Sequence, residues 1–171
     1  MPVKPWLLEV LPKHLLPPST TLESDTPFLI CISSSATVHM SSPSVVHAQL
    51  VPVIPGYYSG VGDLFSALLL GHYHADSNTT HFDDTETPLS VATSLALMKT
   101  HTILSETYKH TRTFPEEERH STDDEMDALD PLRRTRRMRG RELRLVQNQD
   151  LIKANKLDAD SKRLVPWVGF W

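Results

Sequence analysis

Gly60-Val61-Gly62-Asp63 stands directly before the apolar run Leu64–Leu70, and it is the stretch of this chain best suited to chemistry. Backbone N–H groups at a helix start have no intrahelical partner and point outward. The helix dipole adds partial positive charge there. Glycines let the backbone take unusual dihedral angles and approach a ligand closely. Together these features make a pocket for an anion, a phosphate above all. Asp63 cannot serve as a phosphate ligand, because like charges repel. It either caps the helix or takes a proton from a hydroxyl that attacks the phosphate. Capping is the commoner role of such a turn, and the four residues alone leave both open.

Three other groups of residues invite chemistry. His72, His74 and His81 with Asp83 and Asp84 are potential metal ligands. Their spacing matches no established site, so a solvated loop is expected and no metal ligand is assigned. Cys31 sits in the middle of an apolar run, which suits a core residue better than a nucleophile. The arginines from Arg133 to Arg144 are suited to nucleic acid or nuclear import. However, no aromatic residues interleave them for base stacking. Residues 113–130 hold eight acids against one arginine, and residues 133–144 hold seven arginines against one glutamate. Each block offers the other an internal partner, so nucleic acid is disfavoured and a self-screened, disordered loop is expected.

The elements that must position these residues follow from local pattern. Residues 1–26 carry Pro, Ser and Thr without a sustained period and read as an irregular lead-in. Pro27–Ser33 (PFLICIS) reads as a buried strand. Val45–Val53 alternates Val46, Ala48 and Leu50 against His47 and Gln49, which predicts a second strand with one covered face ending near Pro52. Gly60 and Gly62 turn the chain, Asp63 caps, and Leu64–Leu70 form a helix apolar enough to be buried on most sides, ended by Gly71. Thr87 followed by Pro88 signals a second helix start. Val91, Leu95, Met98, Ile103, Leu104 and Tyr108 then recur at helical spacing up to about His110. Leu143, Val146 and Ile152 sit at loose helical spacing. The tail VPWVGFW, with Trp167 and Trp171, yields no functional reading.

The 171 residues suit one domain. Hydrophobic residues at 39% and 13 prolines predict a modest core with long irregular stretches. A net charge of −4 gives no overall bias toward nucleic acid or anionic membranes. A single cysteine excludes an internal disulfide framework and suits a reducing compartment, cytoplasmic or nuclear. No signal-peptide core and no membrane span are expected.

The stretch SGVGDLFSALLL resembles the signature of ribokinase-like sugar and vitamin kinases, a G-x-G-D turn opening a buried helix. Within that superfamily the chain is most similar to the pyridoxal kinases. FLICIS and the strand after it, TPLSVATSLALMKTHTILSETY, and RGRELRLVQNQDLI are similar to that family's layout, in the same order, over roughly residues 27–153. ELRLVQ is what narrows the resemblance to pyridoxal kinase.

The resemblance implies an α/β fold, a ribokinase-like three-layer α/β/α arrangement of which this chain holds the C-terminal part. In that layout residues 27–112 carry the ATP-binding and catalytic portion, 113–138 a variable charged loop, and 139–171 the closing helix and tail. It implies ATP-dependent phosphorylation of the 5′-hydroxyl of pyridoxal, pyridoxine or pyridoxamine. Asp63 falls on the general base, and Gly60, Val61 and Gly62 on the anion hole. Ile54, Pro55, Gly56 and Leu89 join Val61 and Gly62 as ATP contacts. Mg²⁺ or another divalent cation and K⁺ are the implied cofactors, and a homodimer is implied for the complete fold.

Two departures accompany the resemblance. Many members have threonine where this chain has Val61; the backbone donors survive that change. The family also carries an N-terminal half, with most of the sheet and the pyridoxal pocket, which this sequence lacks, and Ser24 and Thr26 are poor substitutes for its Thr-Ser ATP contact. A chain that holds only the ATP-facing half is expected to expose apolar surface on the Leu64–Leu70 helix and to be poorly stable or inactive. The competing readings are a truncated, inactive nucleotide-binding remnant and a basic-segment interaction protein.

Overall fold

Alternating side chains from Phe28 onward, with Ile30 and Ile32 β-branched, favour extended backbone, and β1 runs Phe28–Ser35. β2, Val45–Pro52, pairs with it antiparallel in the register Phe28↔Pro52 through Ser35↔Val45. The structure is a computed structural model that describes residues 11–15, 27–36, 44–74, 86–119, 124–154 and 163–169. The rest of the expected lead-in, His81, Asp83, Asp84 and Trp171 lie outside the described residues. The chain divides into two compact units: residues 1–53, 68–96 and 156–171, and residues 54–67 with 97–155. Mixed helices and a small three-stranded antiparallel sheet make the class α/β. Among the described residues no helix is long and apolar enough to cross a membrane.

In the first unit, β3, Val165–Pro166, adds to the other edge of β2, so the sheet order is β1-β2-β3. The Trp167 N–H donates to Val46 O (2.8 Å) and extends that pairing. Leu11, Leu15, Ala48 and Leu50 form the core, with Phe28, Ile30, Val165 and Trp167 packed against it. The tail that gave no reading in sequence is thus a strand and a core tryptophan. β1 is less buried than expected: Leu29 is 41% and Ile32 45% exposed, and Ser33 is its one buried residue, as suits an edge strand paired along one side. β2 has the expected covered face, but His47 is fully buried as well.

Two helices run through both units. α1 is Val61–His72 and α2 is Pro88–Thr111. Thr87 caps α2 as its sequence suggests. The Ser90 N–H donates to Thr87 Oγ1 (3.1 Å) while the Thr87 N–H donates to Ser90 Oγ (2.9 Å), a reciprocal pair that satisfies two helix-start donors. Much of the buried surface of α2 is polar: Ser90, Thr93, Ser94, Lys99, Thr100 and Thr107 are buried beside Ala92, Leu95, Ala96 and Ile103. Most of these hydroxyls donate to the carbonyl one turn back, as Thr93 does to Leu89 O (2.7 Å) and Ser94 to Ser90 O (2.7 Å). In the first unit the Leu164 N–H donates to Ser94 Oγ (3.0 Å), which ties the residues before β3 to α2.

The second unit holds the charged blocks, and they are helical. α3 spans Glu116–Arg119, α4 Asp124–Leu129 and α5 Pro131–Arg139. Pro131 occupies the first turn of α5, and Asp130 accepts the Leu132 N–H (3.0 Å) as its cap. The mutual screening expected of these blocks takes the form of specific ion pairs rather than an irregular loop. Arg133 and Arg137 both donate to the Asp127 carboxylate, and Arg136 pairs with Asp130. Past α5 the Thr111 hydroxyl lies 2.7 Å from Gly140 O. A Cβ on Gly140 would come within 3.3 Å of the Phe114 ring, so only glycine fits there without a shift. A 3-10 turn at Val146–Asn148 and α6, Gln149–Lys153, close the unit in place of one continuous helix.

Candidate functional site

Gly60 has φ +81°, the left-handed region, and it reverses the chain so that α1 begins at Val61. Asp63 is therefore not the cap expected from the sequence but a residue of the first turn, where a carboxylate complements the dipole. The first intrahelical bond runs from the Leu64 N–H to Gly60 O (2.9 Å). The N–H groups of Val61, Gly62 and Asp63 consequently face out of the helix start. Gly60, Gly62 and Asp63 are exposed and Val61 is half-buried. Among the described residues nothing lies within 4 Å of where a Cβ on Gly60 or Gly62 would stand. The turn is open to a ligand, with one carboxylate beside its donors.

Gly60 and Gly62 make a matched pair for measurement. Gly60→Ala is expected to cost about 1–2 kcal/mol from the left-handed backbone alone, since no described residue crowds the new methyl. Gly62→Ala, inside the helix with ordinary φ, is expected to stabilise by about 0.5–1 kcal/mol. Denaturant midpoints of the two variants read the difference.

α1 continues past Gly71 to His72. Its apolar surface is partly covered: Leu68 is buried, Leu64, Phe65 and Leu69 are half-buried, and Leu70 is 78% exposed. A helix apolar on nearly all sides needs neighbours all round, and the described residues bury it on the Leu68 side.

Ile54, Pro55 and Gly56 lead into the turn and belong to the same unit as Gly60–Asp63. Gly56 has φ +115°, and the Tyr58 ring folds back over it, within 3.0–3.3 Å of where a Cβ would sit. The Tyr58 hydroxyl donates to Pro55 O (2.9 Å). Burial, with Tyr108 adding to it, pushes that hydroxyl's pKa up. Tyr58 therefore covers Gly56, one of the residues expected to face the nucleotide. Leu89, the remaining expected ATP contact, is half-buried on the first turn of α2 in the other unit. Cys31 is half-buried in β1, and burial raises its thiol pKa, which fits a packing residue rather than a nucleophile.

The structure gives the arginine block a setting that its sequence did not show. The Ser59 N–H donates to Arg141 O (3.0 Å), and Ser59 and Glu142 form a parallel bridge. The end of the arginine block is thereby joined to the residue before Gly60. The Arg141 guanidinium stands 5.5 Å above the Tyr57 ring, and Tyr57 is 68% exposed. A cavity of about 560 Å³ opens beside this segment, lined by Asp127, Ala128, Pro131, Arg134, Arg137, Met138 and Arg141. Arg137 is 2% exposed and grips Asp127 with both terminal nitrogens. The hydrogen bond from Arg137, followed by that from Arg133, holds the Asp127 carboxyl below the usual carboxylate range. No local sequence signal pairs residues ten apart across a proline, so this arrangement was not visible beforehand.

A divalent cation in a phosphoryl-transfer site usually rests on one or two carboxylates and the substrate phosphates. The turn supplies one carboxylate, Asp63, and outward donors suited to the phosphates. Among the described residues no three His, Cys, Asp or Glu side chains gather into a metal-holding group. No protein-family model matches the chain, and no curated protein matches it significantly.

Proposed function

We propose that this chain carries the ATP-facing, base-bearing part of a phosphotransferase of the pyridoxal kinase kind, acting on the 5′-hydroxyl of a B6 vitamer. The finer fold reading, a portion of a ribokinase-like α/β/α domain, belongs to the same proposal. The observation that carries it is the open helix start after left-handed Gly60, with three outward amides and an exposed carboxylate in one turn. In this reading the Val61, Gly62 and Asp63 N–H groups hold charge that develops on the transferred phosphoryl group. Asp63 orients the attacking hydroxyl and accepts its proton as the new O–P bond forms. Carboxylates are weak bases at neutral pH, so orientation and late proton capture account for most of its effect. Mg²⁺, when bound with ATP, neutralises phosphate charge. K⁺ and homodimerisation remain implications of the resemblance.

Thermal unfolding of the chain with and without Mg·ATP tests the binding half of this reading. Ligand that binds the folded state raises the midpoint by mass action, by an amount that grows with its concentration. A coupled assay of ADP release with pyridoxal tests the chemical half. An unmoved midpoint at millimolar ATP would overturn the proposal. Stabilisation without any pyridoxal-dependent ADP would select a second reading, a nucleotide-binding chain without turnover. The exposed apolar side of α1 at Leu70 favours that second reading.

A further inference from the structure

We infer that the cavity lined by Arg134, Arg137 and Arg141 is a binding site for a polyphosphate anion. Its lining holds three guanidinium groups and one carboxylate, a surplus of two positive charges. The carboxylate, Asp127, is already met by Arg133 and Arg137, so it repels an incoming anion little. Among the described residues no carboxylate pairs with Arg134 or Arg141. These two therefore supply the charge that a ligand would meet, over a floor fixed by the Arg137–Asp127 pair. Guanidinium groups bind phosphate oxygens through paired, charge-assisted hydrogen bonds. A volume of about 560 Å³ is the size of a small-molecule site.

Charge distribution favours a compact anion over a nucleic-acid strand. Arg133, Arg136 and Arg137 are engaged with Asp127, Asp130 and Glu118, so α5 presents no unbroken basic stripe to a phosphodiester backbone. The bridge from Ser59 to Glu142 links Arg141 to the residue before Gly60, and Tyr57 offers an exposed ring beside it. The inference thus deepens the phosphotransferase reading and rests on it for one choice, the nucleoside triphosphate as the source of the polyphosphate. The charge argument itself asks only for two or more linked phosphates.

Titration of the full chain with inorganic tripolyphosphate, followed by calorimetry, tests the site. Arg134→Gln and Arg141→Gln are each expected to weaken binding about tenfold or more, as loss of a charge-assisted hydrogen bond requires. Arg141→Lys should retain more affinity than Arg141→Gln. Arg139→Gln, an exposed arginine outside the lining, should change nothing. Arg134 is exposed, so its replacement leaves the fold intact and keeps the test valid if the Arg141 variants unfold. ATP binding more tightly than tripolyphosphate identifies a nucleotide as the source, and the reverse order identifies the free anion; AMP should bind weakly in either case. No saturable binding, an equal loss in Arg139→Gln, or tighter binding of a duplex DNA oligomer would each overturn the site. Arginine-dependent anion binding without Asp63-dependent ADP release would leave the site standing and remove the phosphotransferase reading. Turnover whose KM for ATP ignores Arg134→Gln and Arg141→Gln, with tripolyphosphate binding equally unaffected, would do the opposite.

Discussion

Asp63→Ala is expected to lower pyridoxal-dependent ADP release by about 10²–10⁴-fold, the contribution of a positioned general base. Any turnover the chain supports should carry this dependence. ATP binding should stay the same or tighten slightly. The side chain is exposed on the first turn of α1 beside outward amides, and removing it takes a like charge away from the phosphate. Loss of an acid from the first turn also costs about 0.3–1 kcal/mol of helix stability, so the variant should fold. Single-turnover measurement with saturating ATP separates the two effects. A rate within about tenfold of the native chain would show that Asp63 is not the base. Loss of ATP binding along with the rate would make the residue structural.

Lys99→Ala is expected to destabilise the second unit by about 2–3 kcal/mol, the burial free energy of the methylenes that it deletes. Lys99 is fully buried in α2. Its ammonium donates to Ile152 O (2.7 Å) and to Ala154 O, carbonyls at the C-terminal end of α6, where positive charge complements the dipole. Lys99→Met keeps most of the stem and removes the charge, and it should cost less than Lys99→Ala but still about 1 kcal/mol or more, because the Ile152 and Ala154 carbonyls lose their donor. Burial lowers the Lys99 pKa, and the sign of the pH effect follows. Between that lowered value and the ordinary lysine value of about 10.4, the unfolded chain binds more protons than the folded one. Stability contributed by this site therefore rises with pH across that window. Tyr58 works in the opposite direction above about pH 10, since its raised pKa makes the unfolded state the easier one to ionise. Urea midpoints of the native chain minus those of Lys99→Met, taken at each pH, isolate the lysine. A flat difference would mean that the ammonium is not buried in solution.

Residues with local signals were legible from sequence. Strands expected at Pro27–Ser33 and Val45–Val53 from apolar and alternating runs between turn residues stand at Phe28–Ser35 and Val45–Pro52. Thr87-Pro88 marked the start of α2 to the residue, because capping and proline placement depend on neighbours three positions apart. Gly60-Val61-Gly62-Asp63 was recognisable as a turn into a helix; only the cap was misplaced, since left-handed Gly60 had already made the reversal. What escaped was tertiary. Charged blocks at 113–144 look solvated until Asp127 is seen between Arg133 and Arg137 on successive helices. Lys99, Thr107 and His47 occupy core positions that composition would give to aliphatic residues. Arg141 is brought to Ser59 by a backbone bridge that leaves no trace in either segment's pattern.

The Arg137–Asp127 pair lies almost wholly out of water, whereas Arg134 is exposed. Dissolved ions screen charges at the surface and scarcely reach those beneath it. Raising the ionic strength should therefore strip a phosphate from the rim while the floor below it keeps its shape. Release and recapture would then follow the medium alone, with no refolding of the helices that frame the basin.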